Sequence, residues 1–133
     1  MKLVVHVDGG ARGNPGPAAI GVVVTTPEGA DVVEVAEAIG VATNNVAEYR
    51  ALLRGIELAR EHGADELEIY GDSELIVKQV RGEYRVKDAG LKPLHAEVRA
   101  ALASVGGWSL DHVRRENNAD ADLLVNQALD AAV

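Results

Sequence analysis

The chain has 133 residues, of which 47% are hydrophobic and 26% are charged, and its formal net charge is −8. This length predicts one domain, residues 1–133, with a core large enough to need no covalent cross-links. Because the sequence contains no cysteine, disulfides and thiolate metal sites are excluded and a reducing compartment is favoured. No apolar run approaches the ~20 residues that a membrane-spanning helix requires. We therefore expect a cytoplasmic protein without a signal peptide or a membrane partner.

The net charge argues against a nucleic-acid partner only as a global sum, because binding surfaces are local. Residues 78–92 carry five basic and two acidic side chains, whereas residues 57–74 carry seven acids and one base. By charge alone, the basic segment is most simply explained as a solvated surface.

The first forty residues predict three antiparallel strands. Residues 2–7, 19–26 and 31–39 are rich in valine or alternate between apolar and polar positions, which is typical of strands. The second and third are separated by a turn at residues 27–30, which contain proline and glycine.

Helices and strands alternate in the rest of the chain. Asn44 and Asn45 are suited to cap a first helix, and Ser73 is suited to cap a short one. We predict helices at residues 46–62, 74–80, 93–103 and 120–132, and strands at residues 66–70 and 108–113. The resulting order predicts an α/β fold in which helices flank a five-stranded mixed sheet.

Four acids stand out by position. Asp8 and Asp72 are each expected at the C-terminal end of an apolar strand beside a glycine, where open α/β sheets build their sites. Glu48 falls in the predicted first turn of the long helix, on its apolar side, and Asp122 in the first turn of the last helix. Each has a simpler explanation, as a helix-dipole contact for Glu48 and Asp122 or a turn residue for Asp72.

Four converging acids in a chain without cysteine indicate a hard cation with oxygen ligands, Mg²⁺ or Mn²⁺ rather than Zn²⁺. Two such ions about 4 Å apart form a phosphoryl-transfer site. Other chemistries are less well supported. The glycines after Asp8 match neither G-x-G-x-x-G nor G-x-x-x-x-G-K-[ST], and the serines lack a G-x-S-x-G context.

Four motifs make the chain resemble a type 1 ribonuclease H over essentially its whole length. They read VDGGARGNPGP at residues 7–17, TNNVAEYRAL at residues 43–52, YGDSEL at residues 70–75 and VRRENNADAD at residues 113–122. The resemblance implies a ribonuclease H-like fold with a five-stranded mixed sheet whose first three strands are antiparallel. It also implies endonucleolytic hydrolysis of the RNA strand of RNA–DNA hybrids, which leaves 3′-hydroxyl and 5′-phosphate ends.

Carried over residue by residue, the resemblance assigns the family's four catalytic and metal-binding acids to Asp8, Glu48, Asp72 and Asp122. Two Mg²⁺ or Mn²⁺ ions are expected with substrate bound. In that scheme Asp8 bridges both ions, and Glu48 also contacts the RNA 2′-hydroxyl. Asp122 binds the ion that positions the attacking water.

Contacts with the hybrid are expected from Gly10, Asn14, Asn44 and Asn45. The three amides match family positions that contact the hybrid, and their side chains can pair with 2′-hydroxyls and base edges in a shallow minor groove. The glycine permits a compact turn that brings the backbone near that groove. Helix capping is the simpler explanation for Asn44 and Asn45.

The chain departs from the family pattern in two places. Many members carry a long basic insertion where residues 81–91 are short and mildly basic, so we expect weaker hybrid binding with a strong dependence on salt. Many members also carry a loop histidine before the fourth acid. An alignment without gaps puts His112 there, but His112 fits the fifth strand better, which leaves Arg115 as the loop residue able to contact phosphate.

Three other functions fit the sequence less well. A hybrid-binding module without activity would gain nothing from four mutually repelling carboxylates. Another nuclease of the same fold, such as a junction resolvase, is less compatible with two asparagines at the helix start. A sugar kinase-like domain would need a longer chain. We expect the protein to act as a monomer.

Overall fold

The computed structural model describes residues 1–132. Its five strands form one sheet in the order β3-β2-β1-β4-β5. They comprise β1 (Lys2–Ala11), β2 (Gly16–Thr25), β3 (Asp31–Ala42), β4 (Glu66–Gly71) and β5 (Gly107–His112). β1 to β3 are antiparallel, whereas β4 is parallel to β1 and β5 is parallel to β4. The predicted mixed sheet, with its first three strands antiparallel, is confirmed.

Four helices flank this sheet. They comprise α1 (Asn44–Glu61), α2 (Glu74–Val80), α3 (Lys92–Ala103) and α4 (Ala119–Ala131), and a 3₁₀ turn over Arg115–Asn118 precedes α4. Every predicted helix and strand is present, with ends that differ by a few residues. No helix within residues 1–132 is both long enough and apolar enough to span a bilayer.

β1 is longer than predicted, and this changes the setting of Asp8. Pairing with β2 continues to Ala11 opposite Ala18, because the glycines after Asp8 remain extended instead of forming a loop. Pairing with β4 stops at Val7 opposite Gly71. The prediction that Asp8 ends a strand was therefore wrong. It lies within β1, one step beyond the end of β4, and this register puts it beside Asp72.

Helices α1 and α4 cover opposite faces of the sheet. Leu3, Val5 and Val7 of β1 are buried in the main core, which also contains Leu52 and Ile56 of α1. On the other face, α4 buries smaller side chains against β2, with Ala19 beside Val125 and Leu129, and Val23 beside Ala121 and Leu124. Both helices contact β1, so α1 and α4 approach this strand from opposite faces of the sheet.

Candidate active site

Three of the four predicted acids meet in one cluster. Carboxylate oxygens of Asp8, Glu48 and Asp72 lie within 4.8 Å of one another. Asp8 is only 6% exposed and Glu48 only 9%, and all three line an open cavity of about 460 Å³. β1, α1 and the end of β4 each supply one acid, so the cluster forms only in the folded chain.

Asp122, the fourth acid, lines the same cavity but lies outside this three-acid cluster. It projects from the first turn of α4, as predicted. Its Oδ1 accepts a hydrogen bond of 3.2 Å from Nη2 of Arg115. The Asp122 carboxylate therefore forms part of the cavity wall and is paired with the guanidinium of Arg115.

Gly9 allows α1 to approach β1 closely enough to bring Glu48 to Asp8. A Cβ atom at position 9 would lie 2.3 Å from the carbonyl carbon and oxygen of Ala47, so any larger residue would collide with the backbone of α1. The Gly9 amide also donates a 3.1 Å hydrogen bond to Oε1 of Glu48. Sequence reasoning did not assign Gly9 to the site, although its position next to Asp8 was the available signal.

Gly21 has the corresponding role for α4. It pairs with Asp8 across β1 and β2, and a Cβ atom there would lie 2.3 Å from the carbonyl oxygen of Ala121. The backbone of α4 thus contacts the sheet at Ala121, the residue that precedes Asp122. Two glycines on adjacent strands therefore set the distances of Glu48 and Asp122 from Asp8.

Asn118 anchors the same region and was also missed. Its side chain is buried, and its Nδ2 donates a 2.8 Å hydrogen bond to the carbonyl oxygen of Val7. This bond ties the start of α4 to the residue before Asp8. The available signal was an asparagine two residues before the predicted helix, near the position where a cap is expected, yet its side chain makes no capping bond.

The start of α1 differs from the prediction in two respects. Thr43 caps the helix by accepting a hydrogen bond from the Val46 amide, so the capping role expected of Asn44 and Asn45 was wrong. Since α1 begins at Asn44, Glu48 falls in the second turn and no acid lies in the first. The helix-dipole explanation for Glu48 is therefore wrong, which leaves the carboxylate cluster to account for its burial.

Burial and like charge shift the protonation of this cluster. The pKa of Asp8 is raised to about 7, mainly by burial, with further upward contributions from the charges of Asp72 and Asp122 and an opposing one from a hydrogen bond with Glu48. The pKa of Glu48 is raised well above its usual range, first by burial and then by Asp8. Without a cation, the carboxyls of Asp8 and Glu48 are therefore expected to be at least partly protonated near neutral pH.

The predicted substrate residues surround the acids. Gly10, Asn44 and Asn45 line the cavity. Asn14 is exposed and supports Asn44, because its Oδ1 accepts a 3.0 Å hydrogen bond from the Asn44 amide. The Asn44 Oδ1 in turn accepts a 2.9 Å bond from the Ala11 amide. Since these oxygens are engaged by the backbone, the amide nitrogens of Asn14 and Asn44 remain as donors.

Arg115 and His112 occupy different settings. His112 is exposed at the end of β5, opposite Gly71, which confirms its assignment to the fifth strand. It is not among the described residues that line the cavity, whereas Arg115 is. Of these two side chains, it is therefore Arg115 that lies at the cavity with the acids.

Comparisons with known proteins agree with this arrangement. A family model for reverse transcriptase-like proteins matches residues 6–128. The ribonuclease HI of Halobacterium salinarum is 44% identical over 98% of the chain. The crystal structure of RNase H1 from that archaeon matches this chain with a TM-score of 0.96 and 42% identity. The match covers 98% of this chain and 99% of the archaeal chain. LC11-RNase H1, isolated from compost, has been solved in complex with an RNA/DNA hybrid. That structure covers 98% of each chain, with a TM-score of 0.93 and 44% identity.

The curated relatives are longer than this chain. It spans 66% of the length of the halobacterial ribonuclease HI and 36% of the length of a bifunctional protein of Mycobacterium tuberculosis, to which it is 44% identical. Identity nevertheless extends over nearly all of the present sequence and includes the elements that supply the acid cluster. The chain therefore belongs to the ribonuclease HI family.

Proposed function

We propose that this chain is a metal-dependent endoribonuclease that hydrolyses the RNA strand of RNA–DNA hybrids and leaves 3′-hydroxyl and 5′-phosphate ends. The observation that best supports this proposal is the cluster of Asp8, Glu48 and Asp72 in an open cavity whose rim includes Asn44 and Asn45. The hybrid complex of LC11-RNase H1, which is 44% identical to this chain, supports the same substrate class.

The donor set fits a hard divalent cation. Its ligands are all carboxylate oxygens, which suit Mg²⁺ and Mn²⁺. Burial, and after it the neighbouring acids, raise the pKa of Asp8 and of Glu48, so a bound cation would stabilise their charged forms. We infer that Asp8, Glu48, Asp72 and Asp122 hold one or the other of these ions, two with substrate bound. When bound, such ions lower the pKa of an attacking water and neutralise charge on the phosphate.

The remaining roles follow from how this chain fixes its side chains. The Gly9 amide fixes Oε1 of Glu48, and we propose that the carboxylate held in this way accepts a hydrogen bond from a ribose 2′-hydroxyl. The amide nitrogen of Asn44 can donate to acceptors in the shallow minor groove of a hybrid. A deoxyribose lacks the 2′-hydroxyl, so these contacts would favour RNA in the cleaved strand. Because one chain supplies every acid, we propose that a monomer is the active form.

Cleavage assays on defined substrates test this proposal. Labelled RNA–DNA hybrid, double-stranded RNA, double-stranded DNA and a four-way DNA junction are incubated with Mg²⁺, Mn²⁺ or a chelator. We expect the hybrid's RNA strand to be cut with a metal ion and no cutting with the chelator. Binding of the hybrid without cleavage in either metal would support the non-catalytic module, and preferential cutting of the junction would support a resolvase. Either result would overturn the proposal.

Arg115→Ala is expected to lower kcat by on the order of 10- to 100-fold while KM changes little. The guanidinium lies beside the Asp122 carboxylate at the cavity wall, where it can donate to a phosphate whose charge develops during hydrolysis. Steady-state kinetics on the hybrid measure the effect. Arg114→Ala is the matched control, since that side chain is 82% exposed and does not line the cavity. An unchanged kcat for Arg115→Ala would refute the role.

A further inference from the structure

Two arginines line the cavity that contains the acids, and they differ in what they bind. Arg115 is bonded to Asp122, one of the proposed metal ligands. Arg12 instead donates a 2.7 Å hydrogen bond from Nη2 to Oδ1 of Asp130. Asp130 lies in the last turn of α4 and outside the described cavity lining. Among the described lining residues, Arg12 is thus the cationic side chain that leaves the metal-site carboxylates free.

The backbone places Arg12 next to the residues proposed to contact RNA. Its amide donates a 2.8 Å hydrogen bond to the Pro17 carbonyl across the β1–β2 connection. The preceding amide, of Ala11, is bonded to the side chain of Asn44. Arg12 therefore extends the rim of the cavity from Asn44 toward α4. The backbone amides of Ala11 and Arg12 are both hydrogen-bonded, which fixes this part of the rim.

The charge balance of the cavity calls for such a cation. Four carboxylates face the space that a polyanionic strand would enter, and the chain as a whole carries a net charge of −8. A duplex carries one negative charge per phosphate, and affinity comes largely from side chains that neutralise phosphates and release counterions. Arginine suits this role because its planar guanidinium can donate two parallel hydrogen bonds to a phosphate.

We propose that Arg12 binds a backbone phosphate of the hybrid away from the scissile bond, and that Asp130 positions its guanidinium. The bond to Asp130 occupies one of five N–H donors, so the rest of the fork remains available. We place the contact away from the reacting phosphate because Asp130, the partner of Arg12, lies about two helical turns from Asp122 along α4. This assignment rests on the proposed function.

Binding measured as a function of salt tests the assignment. All variants carry Asp8→Asn, which is expected to block hydrolysis, and a fluorescent RNA–DNA hybrid is titrated in Mg²⁺ at several NaCl concentrations. Losing one phosphate contact is expected to reduce the slope of log Kd against log[NaCl] by about 0.9. We expect this reduction for Arg12→Ala, with weaker binding at low salt, and recovery of the slope for Arg12→Lys.

Two further variants separate a phosphate contact from a purely structural ion pair. Asp130→Ala keeps the charge of Arg12, so we expect the parental slope and a smaller loss of affinity than for Arg12→Ala. Arg54→Ala removes an arginine that is paired with Glu61 on α1, outside the cavity lining, and it should leave both quantities unchanged. An unaltered slope for Arg12→Ala, or equal changes for Arg12→Ala and Asp130→Ala, would overturn the assignment.

The two proposals can fail separately. Cleavage of the hybrid by the unmodified chain, together with a parental slope for Arg12→Ala, would leave the proposed function intact and remove only the role of Arg12. A lowered slope without any metal-dependent cleavage by the unmodified chain would support the phosphate contact and refute the nuclease.

Discussion

Asp8→Asn is expected to lower kcat by on the order of 10³-fold or more while stabilising the metal-free protein at pH 8. The amide cannot supply a charged ligand, and losing several kcal/mol of cation-dependent stabilisation of the transition state costs at least this factor. The stability gain arises because the carboxyl of Asp8 is buried against Glu48 and near Asp72. Removing one charge relieves that repulsion.

The gain should depend on pH in a defined direction. The folded chain raises the pKa of Asp8 from 3.8 to about 7, so between these values the folded state binds more protons than the unfolded state. The contribution of Asp8 to the stability of the metal-free protein should therefore fall as pH rises from about 4 to about 7. The advantage of Asp8→Asn should be absent below pH 4 and reach at most about 4 kcal/mol above pH 7.

Thermal unfolding of both proteins at pH 4 and pH 8, with and without Mg²⁺, measures these effects. Mg²⁺ should raise the melting temperature of the unmodified chain at pH 8 by mass action and have much less effect on Asp8→Asn. Retained cleavage by Asp8→Asn would show that Asp8 is not a required ligand. A melting temperature below that of the unmodified metal-free chain at pH 8 would contradict the charge repulsion.

Gly9→Ala is expected to cost on the order of 3 kcal/mol or more of unfolding free energy. The added Cβ would lie 2.3 Å from the Ala47 carbonyl and 2.6 Å from the Glu48 amide nitrogen. Because those atoms belong to the helix backbone, α1 must shift as a unit instead of turning one side chain away. The shift would also break the Gly9 to Glu48 hydrogen bond and open the acid cluster.

Urea unfolding and the Mg²⁺-induced rise in melting temperature check this prediction. Gly10→Ala is the matched control for stability, since its Cβ would meet only Cγ1 of Val125 at 3.7 Å, an ordinary contact. We expect that variant to unfold within about 1 kcal/mol of the unmodified chain. If Gly9→Ala proves equally stable and still responds to Mg²⁺, α1 does not depend on this close approach.

Much of the fold could be predicted because its elements carry local signals. Apolar alternation and glycine or proline turns identify the strands, and Ser73 caps α2 as its position indicates. The end of β1 was mispredicted for a physical reason. The glycines after Asp8 have high turn propensity, but eight residues of ladder with β2 continue through them, and tertiary pairing outweighs local preference.

The sequence by itself determined which acids are candidates for the site. Four carboxylates near the ends of predicted strands or the starts of predicted helices, in a chain without cysteine, indicate an oxygen-ligand cation site before any coordinates are known. Only the tertiary structure decided how they meet. Gly9 and Gly21 set the approach of two helices, and Asn118 holds α4 to β1. Arg12 reaches Asp130 across 118 positions of sequence. Local patterns report propensity and burial, whereas these contacts join residues far apart in the chain and depend on backbone distances that only packing fixes.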